Sequence, residues 1–262
     1  MIVLLLFLFF ILGICFGSFV NMLVYRTAIK YKLESEKFKV KDKKRSFCDY
    51  CGRQLFWYEN IPIFSWLFQN GKTRCCNKKL SISYPIVELI TGIIFIILGS
   101  NLLINANFSW FYFLFLIIIV LLIFSTVFDL KYMILPDFST VILIIIAFLG
   151  IIFDEKNIIP YLLSALISSG FLLLLNLITK GNGMGMGDVK LALFMGLFLG
   201  YPKIILAFYI AFIVGAILGI FLIAFKKVDR KSQIPFGPFL ILGTLVSFLY
   251  GNEIIELLIS NF

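Results

Sequence analysis

The sequence predicts an all-α polytopic membrane protein with about eight transmembrane helices and one basic, cysteine-containing cytoplasmic loop. Of its 262 residues, 61% are hydrophobic and only 14% are charged, and the mean hydropathy is +1.06. Soluble domains carry about 25% charged residues, so a chain of this composition belongs in a lipid bilayer. Only helices or a closed barrel can cross a bilayer, because its core offers no partner for backbone N–H and C=O groups. The long, continuous apolar runs favour helices.

Eight apolar runs divide the chain, and each is expected to form a membrane helix. A helix that crosses a bilayer needs roughly 17–25 residues, so the fourth, sixth and eighth runs are short. Prolines fall at the joints between runs, where proline starts a helix rather than breaking one. The runs cover about 2–25, 83–104, 109–130, 138–153, 159–179, 188–201, 204–225 and 236–251.

All of the net positive charge lies in one hydrophilic segment. Residues 26–80 carry 14 Lys or Arg and 5 Asp or Glu, whereas the rest of the chain is neutral in total. A basic segment can indicate nucleic-acid binding, but beside membrane spans the positive-inside rule accounts for it. We therefore expect no nucleic-acid partner, a cytoplasmic loop and an N-terminus outside. With eight spans, Lys131, Lys180 and the basic 226–231 segment also lie inside.

The predicted organisation has three parts. Residues 1–25 form a first transmembrane helix, which lacks a charged n-region and a cleavage site and is therefore an anchor rather than a removed signal peptide. Residues 26–82 form the cytoplasmic, cysteine-rich loop. Residues 83–262 form a seven-helix transmembrane bundle.

Four of the five cysteines lie in the loop and indicate a metal site. They occur as 48-CDYC-51 and 75-CC-76, and a CxxC pair in a reducing compartment indicates zinc or redox chemistry. A zinc ribbon uses two CxxC knuckles, and Thr73 stands where a cysteine would complete the second knuckle. The alternative is a loop held by packing, with partly free thiols. The candidate ligands are Cys48, Cys51 and Cys76, with Cys75 as the fourth.

Two aspartates near the ends of apolar runs are the candidate catalytic groups. The chain contains no histidine, so acid–base chemistry must use carboxylates, Lys or Tyr. Asp129 lies within an apolar run, where an unpaired charge is costly and usually functional. Asp188 ends the glycine-rich stretch 181-GNGMGMGDVK-190, which fails the phosphate-binding templates. As an alternative, Asp188 caps the sixth span.

The predicted topology puts both aspartates at the cytoplasmic face. Two such acids can share a proton, so that one activates water while the other polarises a peptide carbonyl. Gly185 and Gly187 would let the loop or a substrate approach closely. Asp137 is the rival acid, but its position after a proline is typical of a helix cap.

At these residues the sequence resembles the type IV prepilin peptidases, which belong with the GxGD membrane proteases. Asp129 with 135-LPD-137 resembles the first aspartate block of the family, and 185-GMGDVKL-191 resembles the second. Asp129 and Asp188 are therefore implied to be catalytic. Four further segments resemble family signatures in the correct order: 17-GSFVNMLVYR-26, 59-ENIPIFSW-66, 84-YPIVE-88 and 235-PFGPF-239. Thr73 departs from the family pattern, which has a zinc cysteine there.

The resemblance implies a bifunctional enzyme of the inner membrane. It would cut the basic leader from prepilins or pseudopilins of pili or type II secretion at the cytoplasmic face. It would then methylate the new N-terminus with S-adenosylmethionine, using the first span and the loop. Zinc is the second implied cofactor. The alternatives are a leader peptidase without methyl transfer, or a transporter or assembly scaffold that uses the carboxylates for proton coupling.

Four other polar residues have two interpretations each. Glu88 lies just inside the second span, and would act near the aspartates or pair with a Lys or Arg. Lys190 would tune the charge of the acids or extend to the lipid headgroups. Asn21 would line a methyl-acceptor pocket or bond to neighbouring helices. Glu59 lies in the loop, where solvation is the default and only the resemblance indicates a cofactor role.

Overall fold

The structure is a computed structural model that describes most of the chain. The described residues are 2–34, 46–48, 50–105, 110–154, 157–181, 183–225 and 234–260, with the backbone alone at 102–105 and 110–113. The basic 226–231 segment lies outside these residues.

The described residues are largely helical and contain no strand, which confirms the predicted fold class. A helix forms at each of the eight apolar runs, and a short helix α2 (Phe64–Phe68) and a 3-10 turn (Trp57–Asn60) lie in the loop. The long helices are α1 (Ile2–Lys30), α3 (Ser83–Asn105), α4 (Trp110–Tyr132), α5 (Asp137–Phe153), α6 (Ile158–Ile178), α7 (Met186–Leu199), α8 (Lys203–Ala224) and α9 (Gly237–Ser260).

Six of the described helices are long and apolar enough to cross a membrane, namely α1, α3, α4, α6, α8 and α9. The 14 residues of α7 extend about 21 Å at 1.5 Å per residue, which is less than the roughly 30 Å of the hydrocarbon core. Most of its side chains are buried, so α7 is a short helix enclosed by its neighbours.

Two helices are longer than their apolar runs predict. α1 continues to Lys30 instead of ending near residue 25, and α9 continues to Ser260 instead of ending near 251. An apolar run marks only the part of a helix that can lie in hydrocarbon. Backbone hydrogen bonding carries the helix on through polar residues that favour helix, such as Glu253 and Glu256.

The chain divides into two compact units, residues 1–124 and 125–262. In the first unit, α1 packs along α3. In the second unit, α7 packs against α5, α6 and α9. The Ser168 hydroxyl on α6 donates to the Ala192 carbonyl on α7 at 2.9 Å, which pins the helix that carries Asp188.

Candidate active site

Asp129 is buried in the last turns of α4 and is held by the start of α9. Its Oδ2 accepts a hydrogen bond from the Gly237 backbone N–H at 3.1 Å. A Cβ placed on Gly237 would lie 2.6 Å from that oxygen. A residue with a side chain at 237 would therefore push the carboxylate away, and only glycine allows this contact.

Asp188 is buried in the first turn of α7. The cap residue of the helix is Gly185, so the alternative that Asp188 itself is the cap residue is wrong by three positions. The Asp188 Oδ2 accepts a hydrogen bond from the Gly185 backbone N–H at 3.1 Å. A carboxylate at the third helical position satisfies a cap N–H that the helix leaves unpaired, and the helix dipole favours its charge.

Leu135 brings the two aspartate segments and α9 together. This buried side chain lies in the corner between α4 and α5. A Cβ on Gly187 would lie 2.8 Å from Leu135 Cβ, and one on Gly237 would lie 3.3 Å from Leu135 Cδ1. The carboxylates of Asp129 and Asp188 interact electrostatically. The two residues singled out on the sequence thus share one site.

Asp137 and Lys190 form an ion pair beside this site. Pro136 is the cap of α5 and Asp137 is its first residue, so the expected cap role is wrong by one position. Lys190 Nζ donates to Asp137 Oδ1 at 2.6 Å. Asp137 is thus engaged with Lys190 on α7.

Glu88 belongs to the first unit, where it is buried on α3. Its Oε2 accepts from the Ile63 backbone N–H at 2.7 Å, and the Ser18 side chain also hydrogen bonds to it. Ile63 has a left-handed backbone with φ +61°, which is strained for a β-branched residue. Glu88 therefore holds a strained turn of the loop against α3. No sequence pattern indicated this contact.

Asn21 and Glu59 also lie in the first unit. The Asn21 side-chain amide donates to the Tyr84 carbonyl at 3.1 Å, while its buried Oδ1 has no partner among the described residues. Glu59 is buried, so the expectation that it is solvated is wrong. Its oxygens accept from Arg53 at 2.7 Å and from the Phe56 N–H at 2.8 Å. The Arg53 guanidinium and the Phe56 N–H thus replace the water molecules that Glu59 loses on burial.

The four loop cysteines converge on one point. Their Sγ atoms all lie within 4.8 Å of one another. The Cys51–Cys75 sulfur distance is 3.2 Å and the Cys48–Cys76 distance is 3.9 Å. Tetrahedral zinc with Zn–S bonds of about 2.3 Å holds its sulfurs roughly 3.8 Å apart. The cluster therefore fits a four-thiolate metal site.

The two cysteine loops share one backbone pattern. The Cys48 N–H bonds to the carbonyl five residues on, and its carbonyl accepts from the N–H four residues on, both at 2.9 Å. Thr73 makes the same two bonds at 2.8 and 2.9 Å. Thr73 thus occupies the place of Cys48 and Cys76 that of Cys51, while Cys75 reaches the cluster from a position outside the pattern.

Thr73 acts on the cluster through its hydroxyl group. Its Oγ1 accepts from the Lys78 N–H at 3.0 Å and lies 3.1 Å from Cys76 Sγ. This contact is the main cause that lowers the pKa of the Cys76 thiol to about 7. Burial raises the pKa of Cys48 to about 12. The thiols therefore differ strongly in how readily they lose a proton without metal.

The fold and the site describe a helical membrane protein with a pair of buried, interacting carboxylates. Two family models match the chain: the bacterial peptidase A24 N-terminal domain over residues 11–102, and the type IV leader peptidase family over residues 116–220. The second match contains both aspartates. No solved structure matches the chain significantly.

Curated relatives cover almost the whole chain. The prepilin leader peptidase/N-methyltransferase of Aeromonas hydrophila is 30% identical over an alignment 277 positions long, which covers 97% of this chain and 93% of the relative. The protein of the same name from Bacillus subtilis (strain 168) is 31% identical over 257 residues, 96% of each chain. The chain belongs to the type IV leader peptidase family, as its sequence motifs predict.

Proposed function

We propose that the protein cleaves the leader peptide from type IV prepilins or pseudopilins, with Asp129 and Asp188 as its catalytic pair. The observation that carries the proposal is the arrangement of the two carboxylates. Both are buried, they interact electrostatically, and each is anchored through one oxygen by a backbone N–H. The names of the curated relatives support the same reaction.

The chemistry follows from two carboxyl groups that share one proton. The ionised aspartate takes a proton from water as the water oxygen attacks the scissile carbonyl carbon. The protonated aspartate donates to the carbonyl oxygen, which gives a gem-diol intermediate. The aspartate that took the proton from water then gives it to the amide nitrogen, the C–N bond breaks and the amine leaves, while a hydroxyl group of the intermediate returns its proton to the other aspartate. Because Gly237 and Gly185 hold the Oδ2 atoms, the Oδ1 atoms are the ones assigned to water and substrate.

The position of the pair supports cleavage at the cytoplasmic surface of the inner membrane. Asp129 lies near the C-terminal end of α4, a candidate span, and Asp188 near the N-terminal end of α7. The substrate assigned to the site has a polar leader followed by an apolar helix. A cut between these two parts requires acids at a membrane boundary, and the positive-inside rule assigns that boundary to the cytoplasm.

We assign N-methylation of the new N-terminus to the same protein, since the curated relatives carry both activities in their name. S-Adenosylmethionine would supply the methyl group from its positively charged sulfur. Glu59 fits a cofactor role poorly because both of its oxygens are engaged within the loop. Asn21 retains one unused acceptor atom and stays a candidate contact.

We assign a structural zinc ion to the cysteine cluster of Cys48, Cys51, Cys75 and Cys76. The sulfur geometry supports this ligand set, and four thiolates close a structural site and leave no open position for catalysis. The ion would fix the shape of the loop. Since four thiols converge despite Thr73, the departure from the family pattern does not by itself favour loss of methyl transfer.

Mass spectrometry of a prepilin incubated with the purified protein and S-adenosylmethionine in detergent tests the function. Loss of the leader with a gain of one methyl group is the expected result. Loss of the leader alone would identify a peptidase without methyl transfer. An intact substrate, while a known prepilin peptidase cuts it in parallel and further prepilins also stay intact, would contradict the proposal and favour a scaffold or transporter.

A further inference from the structure

We propose that the ion pair between Asp137 and Lys190 is a strut that sets the distance between the two catalytic segments. Asp137 and Lys190 are then positioning residues for peptide cleavage. The inference rests on the proposed catalytic role of Asp129 and Asp188.

The pair joins the two segments that carry the aspartates. Lys190 Nζ donates to Asp137 Oδ1 at 2.6 Å, across 53 residues of sequence. Asp137 opens α5 just after the corner that follows Asp129. Lys190 lies on α7, two residues after Asp188. The ion pair therefore connects the same two segments as the catalytic pair.

Lys190 affects the aspartates indirectly, through the position of α7. Successive residues of an α-helix are rotated by about 100°, so side chains two residues apart point to nearly opposite sides. Asp188 is accordingly buried, while the Lys190 side chain is 45% exposed and faces Asp137. What Lys190 can fix is the placement of α7 against the start of α5.

The pair is too exposed to contribute much to folding. The Asp137 side chain is 66% exposed, and water and salt screen such ion pairs. Without it, the same segments still meet through Leu135 and Gly187, so the helices stay folded. The catalytic spacing, however, loses its polar contact, and because reaction rates depend steeply on the placement of the reacting groups, even a weak contact can change the rate a few-fold.

The experiment compares Asp137→Asn, Lys190→Gln and the charge-exchanged Asp137→Lys/Lys190→Asp. Each variant is measured for kcat and KM of leader cleavage in detergent and for its unfolding midpoint. Glu253→Gln and Lys180→Gln are matched controls. Each removes one exposed charge of the same sign outside the pair.

Each neutral variant is expected to lower kcat about 2–5-fold, because an exposed ion pair biases the spacing only weakly, with KM and the unfolding midpoint close to those of the unmodified enzyme. The exchanged variant recovers most of kcat, because the attraction is restored with its signs reversed. Raising ionic strength from about 0.05 M to about 0.5 M lowers kcat of the unmodified enzyme and leaves that of Asp137→Asn unchanged.

Three results would overturn the strut: neutral variants with full kcat, a change in KM alone, or an exchanged variant no better than the single ones. A change in KM alone would make the pair a substrate contact. If the variants unfold, the salt dependence of the unmodified enzyme decides, and a kcat independent of ionic strength contradicts the strut. An unmodified enzyme that cuts no prepilin would overturn the proposed function, and the strut with it.

Discussion

The Asp129 carboxylate accepts a hydrogen bond from the Gly237 backbone N–H, 108 residues further along the chain, at 3.1 Å. The donor is a backbone group, so it fixes one carboxylate oxygen without adding a charged side chain to the site. Asp188 is held in the same way by Gly185, at the same distance. Two backbone donors thus orient the proposed catalytic pair, and this arrangement allows several specific tests.

Asp129→Asn and Asp188→Asn are each expected to lower leader cleavage by at least about 10³-fold, because the proposed mechanism uses the two acids as a unit. Asparagine keeps the size of the side chain and an oxygen that can accept from the glycine N–H, so the fold should persist. Methylation of a substrate supplied without its leader should continue. Product masses measure both activities in one reaction.

Glu256→Gln is the control for these aspartate variants, since it also removes one carboxylate but lies on the exposed end of α9. It should cleave normally. Cleavage by either aspartate variant at more than a few per cent of the normal rate would remove that residue from the catalytic pair.

Gly187→Ala should impair both stability and cleavage. The new Cβ would lie 2.8 Å from Leu135 Cβ, and overpacking of this kind costs about 1–3 kcal/mol. At Gly185 the nearest atom to a new Cβ is Asp188 Oδ2 at 3.5 Å, an ordinary contact. Gly185→Ala should therefore be the milder variant in thermal unfolding and in cleavage rate, and the reverse order would contradict the packing.

Gly237→Ala should disable cleavage while sparing methyl transfer. Its Cβ would meet Asp129 Oδ2 at 2.6 Å, so the carboxylate must move, and such a shift can cost about 100-fold in rate. Gly219→Ala on α8 is the control, because its nearest neighbour would be Ile234 Cδ1 at 4.0 Å. Equal cleavage rates for the two variants would show that the Gly237 contact is dispensable.

The helices and the pair of aspartates could be predicted from the sequence, because bilayer-length apolar runs and acids within them are local signals. The Gly237 donor to Asp129 could not. The Gly237 contact joins residues 108 positions apart, and the packing of Leu135 on Gly187 depends on how three helices meet. Neither leaves a periodic pattern in the chain.

The loop shows a different limit of the sequence. Thr73 could be recognised as a departure because knuckle spacing is local. The sequence also offers Cys75 as the fourth candidate ligand, but how it reaches the cluster depends on the turn that follows Thr73, which knuckle spacing does not predict. Glu59 was expected to be solvated, since loop residues usually are, but Arg53 lies close enough to pair with it at 2.7 Å.

Cys75→Ser should weaken metal binding by more than the roughly 10–100-fold that loss of an outer-shell partner costs. The double variant Thr73→Cys/Cys75→Ser should restore binding, because Thr73 occupies the backbone position of a regular knuckle ligand. Zinc content after dialysis and the charge-transfer absorption of the cobalt-substituted protein measure the thiolate number directly. A Cys75→Ser protein with an unchanged four-thiolate spectrum would exclude Cys75 as a ligand.

Thr73→Val should raise the pKa of Cys76 from about 7 towards its ordinary value. The Thr73 hydroxyl already accepts from the Lys78 N–H, so its own proton can stabilise the Cys76 thiolate, whereas valine has none. A lowered pKa means more thiolate at neutral pH, so the variant should hold less thiolate at pH 7.

In metal-free protein, alkylation of Cys76 at pH 7 should therefore slow several-fold, while the rates at pH 10 converge. Peptide mass spectrometry follows each cysteine, with the unmodified protein treated in parallel as the reference. Equal rates at pH 7 would mean that the hydroxyl does not donate to Cys76.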